Sequence, residues 1–321
     1  MPGSYKSINY TIRPAKGVQR KMLCEAFRKL SEFGSLESYR YVGFPAPFFS
    51  DFVLFHKALG IRKMIGIEFD PLERKRFEFN RPFRCIHMLY GESNEILPTL
   101  SWDAKTILWL DYDAELDRSV LTDVRLSCAS ACGGSVIVVT VDARPGDFEP
   151  GKPRLPRLRR RVGEENLPLG IRERDLAEWG TASIYQRILT NEIARTLNER
   201  NGSREVENQF LYKQLFYFCY ADGPRMLTVG GLIYERGQEN LVAKCGFEKL
   251  SFVRSKIGEN IKPHFIEVPS LTFREIRHID GQLPRTKGKG ERLHAPKVPI
   301  EDLKKYEGIY RYFPAFAEAE L

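Results

Sequence analysis

The sequence lacks any apolar run long enough to cross a membrane. Its longest runs, such as 136–141, fall far short of the roughly 20 residues that a span requires. The first ten residues, MPGSYKSINY, contain no apolar core of the kind that a signal peptide carries. Six scattered cysteines have no spacing that would complete a zinc site. We therefore expect a cytoplasmic protein with reduced thiols, no membrane contact and no metal ion.

Several enzyme motifs are missing as well. No GKS or GKT follows a glycine-rich loop, which excludes a P-loop nucleotide site. The serine residues lack the strained strand-to-helix turn that exposes a hydrolase nucleophile. None of the five histidines has a metal-ligand spacing. Nucleotide hydrolysis and serine-hydrolase chemistry are therefore unsupported.

What the sequence does contain is a regular alternation of apolar strands and helices. Strands are predicted at 39–44, 63–69, 85–90, 105–110 and 135–141, and the helices between them at 50–59, 72–79, 93–100 and 117–132. Such an alternation predicts a parallel sheet covered by helices on both faces. Two further strands, 216–220 and 226–234, flank the turn residues Asp222, Gly223 and Pro224. The expected fold is therefore α/β and doubly wound, with a mostly parallel sheet and a C-terminal antiparallel hairpin.

The flanking segments are predicted as additions to a central domain at 37–236. Residues 1–36 form an N-terminal helical extension, with a helix at 17–33, and residues 237–321 form a C-terminal α+β addition with a helix from about Thr272. Within the central domain, the segment 146–172 is rich in proline and arginine and is predicted as a long basic loop. A long helix is expected at 175–201, and 285–297 is expected to be mobile.

The stretch YVGFPAPFFSDF, 41–52, stands where a nucleotide-binding loop would follow the first strand. A pyrophosphate needs free backbone amides and glycines that allow close approach. Pro45 and Pro47 have no amide hydrogen, Gly43 is the one glycine, and Asp51 would repel phosphate. The usual mode of NAD or FAD binding is therefore not expected.

Carboxylates follow three consecutive strands. Glu68 ends the second strand, Glu92 and Ser93 follow the third, and Asp111 and Asp113 follow the fourth. A carboxylate after the second strand of this fold accepts hydrogen bonds from the ribose hydroxyls of a nucleoside. Each acid also has a structural alternative as a helix cap or a solvated side chain. An acidic edge suits a nucleoside that carries positive charge better than one that carries phosphate.

This order of features resembles that of class I S-adenosylmethionine (SAM)-dependent methyltransferases. The corresponding stretches are YVGFPAPFFSD, IEFD, GES and LDYD, followed by the hairpin, over about residues 37–236. The resemblance implies SAM as cofactor and S-adenosylhomocysteine as product. It assigns cofactor binding to Gly43, Pro45, Asp51, Glu68, Glu92 and Ser93. It assigns the catalytic residues, at the opening where the methyl group is transferred, to Asp111, Tyr112 and Asp113. The acceptor would be an oxygen or nitrogen atom.

The positive charge of the chain, +8 overall, indicates an anionic partner. The candidate anion-binding residues, with nucleic acid as the expected partner, are Lys16, Arg20, Arg157, Arg159, Arg160 and Arg161. Solvated faces are the alternative for all of them. Two other hypotheses stay open: an inactive Rossmann-like interaction or regulatory protein, and a basic nucleic-acid-binding protein without methyl transfer. Asp111, Asp113 and Asp117 also offer oxygen ligands for magnesium, although a metal is not expected.

Overall fold

The computed structural model describes residues 13–144, 153–256, 261–285 and 292–314. Eight of its strands form one sheet, with bounds β1 Arg40–Gly43, β2 Lys63–Glu68, β3 Ile86–Tyr90, β4 Thr106–Glu115, β5 Ser135–Asp142, β6 Phe210–Ala221, β7 Arg225–Glu235 and β8 His264–Ile266. The strand order is β3-β2-β1-β4-β5-β7-β6-β8. Strands β1 to β5 are mutually parallel, and β7 runs antiparallel between β5 and β6. The predicted α/β sheet with its C-terminal antiparallel hairpin is confirmed.

Helices cover both faces of this sheet. Their bounds are α1 Pro14–Arg28, α2 Ser50–Leu59, α3 Arg74–Asn80, α4 Ser93–Ile96, α5 Arg118–Ser130, α6 Leu155–Val162, α7 Gly180–Asn201, α8 Glu239–Cys245, α9 Phe273–Asp280 and α10 Ile300–Ile309. None of the described helices is long and apolar enough to span a bilayer.

The core has two layers because successive side chains of a strand point to opposite faces. In β4, Trp109 packs in the layer with α1 and α2, whereas Leu110 packs in the layer with α5 and α7. In β5, Val138 and Val139 divide in the same way. All of these side chains are buried. The central strands are therefore apolar on both faces, which produces the continuous apolar runs in the sequence.

Helix α1 packs on one face of the sheet and is fixed at its start, near the carboxyl ends of the parallel strands. Pro14 occupies the first turn, where a missing amide hydrogen costs nothing. The next two amides, of Ala15 and Lys16, donate hydrogen bonds of 3.1 and 2.8 Å to the carboxylate of Asp222 in the β6–β7 turn. A carboxylate at this position satisfies free donors and complements the helix dipole. The turn of the hairpin thus anchors the N-terminal helix.

The prediction of a long loop over 146–172 was wrong for its second part. Residues 155–162 form α6, and residues 145–152 lie outside the described part of the chain. Pro156 stands in the first turn of α6, where proline is tolerated. Leu158 and Val162, one turn apart, are buried in the layer with α5 and α7. The apolar stripe therefore outweighs the proline and arginine content.

Other differences concern the ends of elements. Strand β4 continues to Glu115 because its end still pairs with β5 across an irregular register between Asp111 and Glu115. The predicted long helix begins at Gly180, after a short 3-10 turn at 173–176. Helix α9 begins directly after Thr272, close to the predicted start, and Thr272 caps it with a reciprocal bond to Glu275. Of the predicted mobile segment 285–297, residues 286–291 lie outside the described part.

The C-terminal segment contributes to the sheet and forms a small cluster of its own. Strand β8 pairs in parallel with β6 and extends the sheet at that edge. Helices α9 and α10 pack together through Ile279, Leu303 and Tyr306. The predicted division into domains at 37–236 and 237–321 stays a prediction.

Candidate active site

A cleft of about 290 Å³ opens at the carboxyl end of the parallel strands. Strands β1 and β4 are neighbours in the sheet although they are not consecutive in the chain. In doubly wound folds, ligands bind above such a switch point in the strand order. The volume is close to the lower end of the roughly 300–1,000 Å³ that small-molecule sites occupy.

Most of the predicted site residues meet in this cleft. Those lining it are Arg20, Pro45, Asp51, Glu68, Glu92, Ser93, Asp111, Tyr112 and Asp113. Gly43 and Lys16 are not among the lining residues, although Lys16 bonds to Asp111, which is. The sequence reasoning did not select the other lining residues, which are Phe44, Ala46, Ser50, Ile67, Phe69 and Gly91. Apart from Ser50 these are apolar, and nothing in an apolar residue type alone marks a binding site.

The three phenylalanines between β1 and α2 do not fill the cleft. Phe49 is fully buried, with its ring packed edge-on against Phe52 and Phe77. Phe48 is 44% exposed and does not line the cleft. Phe44 lies at the wall, with its ring 5.1 Å from that of Tyr112 in an edge-to-face contact. The cleft therefore stays open beside a glycine-poor loop.

Two glycines provide space for this loop. A Cβ atom on Gly43 would lie 2.5 Å from the hydroxyl oxygen of Tyr41. A Cβ atom on Gly66, in the neighbouring strand β2, would lie 3.1 Å from Cγ of Pro45. The Tyr41 hydroxyl in turn donates a hydrogen bond to the buried carboxylate of Asp51. Burial raises the pKa of that carboxyl, while the nearby charge of Arg20 opposes the rise.

Glu68 stands at the end of β2 and lines the cleft. The backbone amide of Asp70 donates a 3.0 Å hydrogen bond to its Oε1 atom. Burial raises the pKa of Glu68 from 4.5 to about 7, although that hydrogen bond opposes the rise. A half-buried acid that titrates near neutrality in a cleft is a candidate functional group.

Asp123 of α5 connects two of the predicted residues. Ser93 donates a hydrogen bond to its Oδ2 atom, and so does the Tyr112 hydroxyl, at 2.5 Å. Asp123 is fully buried, and its Oδ1 atom has no partner among the described residues. Burial raises the pKa of Asp123 and of Tyr112. Sequence reasoning missed Asp123, although an acid beside the apolar positions of a predicted helix is a usable signal.

Asp111 makes an ion pair with Lys16 of α1. The Lys16 ammonium, only 1% exposed, donates a 2.5 Å hydrogen bond to Oδ1 of Asp111 and a 3.2 Å bond to the Tyr220 hydroxyl. It also lies 4.7 Å from the centre of the Trp109 ring. Burial lowers the pKa of Lys16 to about 8, an effect that the Asp111 carboxylate partly offsets. The N-terminal helix thus supplies the counterion of a predicted catalytic residue.

A family model described as "Putative O-methyltransferase" matches residues 8–321, nearly the whole chain. The chain belongs to this family. The resemblance to class I methyltransferases drawn from the order of the sequence motifs is thereby confirmed. No curated protein sequence matches the chain significantly.

Solved structures with a similar fold are distant from this O-methyltransferase family member. Cofactor-bound Rv0187 from MTB is 15% identical, with 71% of this chain and 82% of that chain covered and a TM-score of 0.33. TYW2 from M. jannaschii with AdoMet is 12% identical, with 72% and 80% covered and a TM-score of 0.39. A mutant of MtNAS is 13% identical, and the match spans 32% of this chain and only 37% of that one, with a TM-score of 0.25. Likenesses this distant carry no functional argument.

The predicted nucleic-acid residues of this family member lie largely in ion pairs. Arg157 and Arg161 both bind the carboxylate of Glu115, at 3.2 and 3.0 Å. Arg159 lies 3.2 Å from Glu164. Arg160 is exposed. Most of this positive charge therefore has a counterion within the protein.

Among the described residues, no group of three His, Cys, Asp or Glu side chains is placed to hold a metal ion. Asp117, one of the three acids in the magnesium alternative, caps α5 by accepting a hydrogen bond from the Val120 amide. All six cysteines are free thiols.

Proposed function

We propose that this protein uses SAM to methylate a hydroxyl oxygen of its acceptor. The observation that carries the proposal is the cleft above the β1–β4 switch point, with Glu68 at the end of β2 and four further acids around it. A carboxylate in the place of Glu68 suits ribose hydroxyls. The family match supports methyl transfer to oxygen.

The residues present fit a cationic nucleoside. Glu68 would hold the ribose, and Glu92 with Ser93 would flank the adenine. The lining contains five acids, Asp51, Glu68, Glu92, Asp111 and Asp113, which favour a ligand with positive charge. When bound, SAM supplies an electrophilic methyl group on a positively charged sulfur atom.

The chain's own part in the transfer is to place and orient the acceptor. Much of the rate enhancement in a displacement of this kind comes from holding the nucleophile in line. Asp111 and Asp113 line the cleft and can accept the proton of an acceptor hydroxyl. Lys16 fixes the position of the Asp111 carboxylate through their 2.5 Å hydrogen bond. The Tyr112 hydroxyl is bound to Asp123, so Tyr112 contributes its ring rather than its proton.

A nucleic acid acceptor is the second candidate. The net charge of +8 and the exposed side chain of Arg160 favour it, whereas the ion pairs of the neighbouring arginines weigh against it. Gel-shift titration of an RNA oligonucleotide at two salt concentrations separates the two cases. Binding that falls steeply with salt and weakens in Arg160→Ala supports nucleic acid. Binding that is absent at low salt removes it.

The direct test of the proposed function is calorimetry with SAM and S-adenosylhomocysteine. Saturable binding of both ligands at micromolar concentration is expected. If neither ligand binds at high micromolar concentration, the cleft is not a SAM site and the proposal fails. The free thiols favour a reducing compartment such as the cytoplasm, which localisation of a tagged chain can test.

A further inference from the structure

Arg20 is the one basic residue that lines the cleft in the described part of the chain. The five acids that surround it give the lining an excess of negative charge. Such a lining favours the sulfonium and the ammonium group of SAM but disfavours the carboxylate of its methionine part. A ligand with both signs of charge therefore needs a cation at one place in this cleft.

Arg20 makes no close ion pair, although its charge acts on the buried carboxyl of Asp51 nearby. Its Nε atom is buried and has no hydrogen-bond partner among the described residues. No described acid lies within 4 Å of its guanidinium, whereas Lys16, one helical turn earlier, is paired with Asp111 at 2.5 Å. A buried donor without a partner is costly in a folded protein and usually indicates a ligand, an ion or a water.

The position of Arg20 is well defined by its helix. Asp222 anchors the start of α1. On either side of Arg20, Val18 and Met22 are buried in the core. A side chain based on such a packed helix keeps its place more precisely than one on a loop.

We propose that Arg20 binds the carboxylate of the cofactor's methionine part. The inference rests on the proposed function, because it assumes that SAM occupies the cleft. A guanidinium presents two parallel N–H donors that match a carboxylate, and this geometry strengthens the bond beyond that of a point charge. Arg20 would thereby make an acidic cleft accept a ligand that also carries a negative group. The strands, loops and helices after α1 add no basic side chain to the described lining, since Arg20 belongs to α1.

The test compares two ligands that differ only in this carboxylate. Calorimetry measures the binding of S-adenosylhomocysteine and of its decarboxylated form to the wild type, to Arg20→Met and to Arg20→Lys. In Arg20→Met we expect the affinity for S-adenosylhomocysteine to fall by about ten- to a hundredfold. The affinity for the decarboxylated ligand should stay within about threefold, because that ligand has no group for Arg20 to bind. Arg20→Lys should retain part of the preference, since it keeps the charge but loses the paired donors.

Arg28→Met is the matched control. Arg28 lies two turns further along α1 and is exposed. Its substitution removes the same charge from the same helix. It should leave the affinities for both ligands unchanged. Equal losses for both ligands in Arg20→Met would overturn the inference, because Arg20 would then act on the shape of the cleft. Failure of the wild type to bind either ligand would overturn the proposed function and this inference together.

Discussion

Glu68 should make the affinity of the cleft for the cofactor depend on pH. Its pKa of about 7 means that its charge changes within the range in which the protein can be studied. An ionised carboxylate accepts hydrogen bonds from two ribose hydroxyls, whereas a protonated carboxyl loses part of that capacity. Cofactor affinity should therefore fall as the pH falls through 7. Replacement of Glu68 by glutamine should remove this dependence.

The size of the effect follows from the fraction of ionised Glu68. With a pKa of about 7, roughly one tenth of the carboxyl groups are ionised at pH 6 and roughly nine tenths at pH 8. If only the ionised form binds, the apparent dissociation constant scales inversely with that fraction. The dissociation constant of S-adenosylhomocysteine should therefore be about tenfold higher at pH 6 than at pH 8. Glu68→Gln should bind weakly at both pH values, with a ratio close to one.

Calorimetry at pH 6, 7 and 8 measures both proteins with the same ligand. The ionisations of the ligand are common to the two titrations, so the difference between them reports Glu68. A wild-type affinity that is independent of pH would refute the reasoning. The same tenfold change in Glu68→Gln would also refute it, because another group would then be responsible.

The unliganded protein supplies an independent check on the same pKa. A raised pKa means that the folded state binds more protons than the unfolded state between pH 4.5 and about 7. Stability should therefore decrease as the pH rises through that window, and the cost is fully present above pH 7. Glu68→Gln removes this cost and should stabilise the empty protein at pH 8 by roughly 1–2 kcal/mol, after allowance for the solvated part of the carboxyl. Urea denaturation at pH 5 and pH 8 measures the difference, and a destabilised Glu68→Gln at pH 8 would contradict the assignment.

Three further substitutions test the packing around the cleft by urea denaturation. Gly43→Ala places a methyl group 2.5 Å from a buried tyrosine hydroxyl and should cost about 1–3 kcal/mol, whereas Gly308→Ala, in open space on α10, should be neutral or stabilising. Lys16→Met leaves the half-buried Asp111 without its counterion and should cost about 3 kcal/mol, and the loss should shrink when Asp111→Asn is added. Tyr112→Phe removes a 2.5 Å bond to the buried aspartate of α5 and should cost about 1–2 kcal/mol, with cofactor affinity unchanged; a tenfold loss of affinity would instead indicate that the hydroxyl contacts the ligand.

The sheet and most of the cleft could be predicted because the signals are local. A buried parallel strand such as β5 reads as an apolar run, and the acids towards the carboxyl ends of β2 and β4 and after β3 must meet at one edge of a parallel sheet. Helix α6 could not be predicted as easily, because proline and a run of arginines conceal Leu158 and Val162, the two residues that the helix buries. The arginine ion pairs with Glu115 depend on that helix and were missed with it.

The remaining contacts join segments that are far apart in the chain. Lys16 and Asp111 are 95 positions apart, and the amide of Lys16 bonds to Asp222 over 206 positions. No periodicity within a window of the sequence reports such a pairing. The same holds for Asp123, which meets Ser93 30 positions away. Long-range packing therefore decides which charged side chains of the cleft are paired within the protein and which remain available to a ligand.

The glycine-poor loop at 41–52 is also fixed by packing between distant segments. Glycines in a nucleotide loop allow the backbone to approach the ligand. Here the missing side chain of Gly66 gives space to Pro45 from the neighbouring strand, and Phe49 enters the core with a positive φ of 48° at the start of α2. The loop thus keeps its course through packing against the sheet rather than through its own flexibility. Backbone amides are then few, and a ligand carboxylate must find its donor elsewhere. The unpaired guanidinium of Arg20, held over the cleft by α1, is the group in the described chain that meets this requirement.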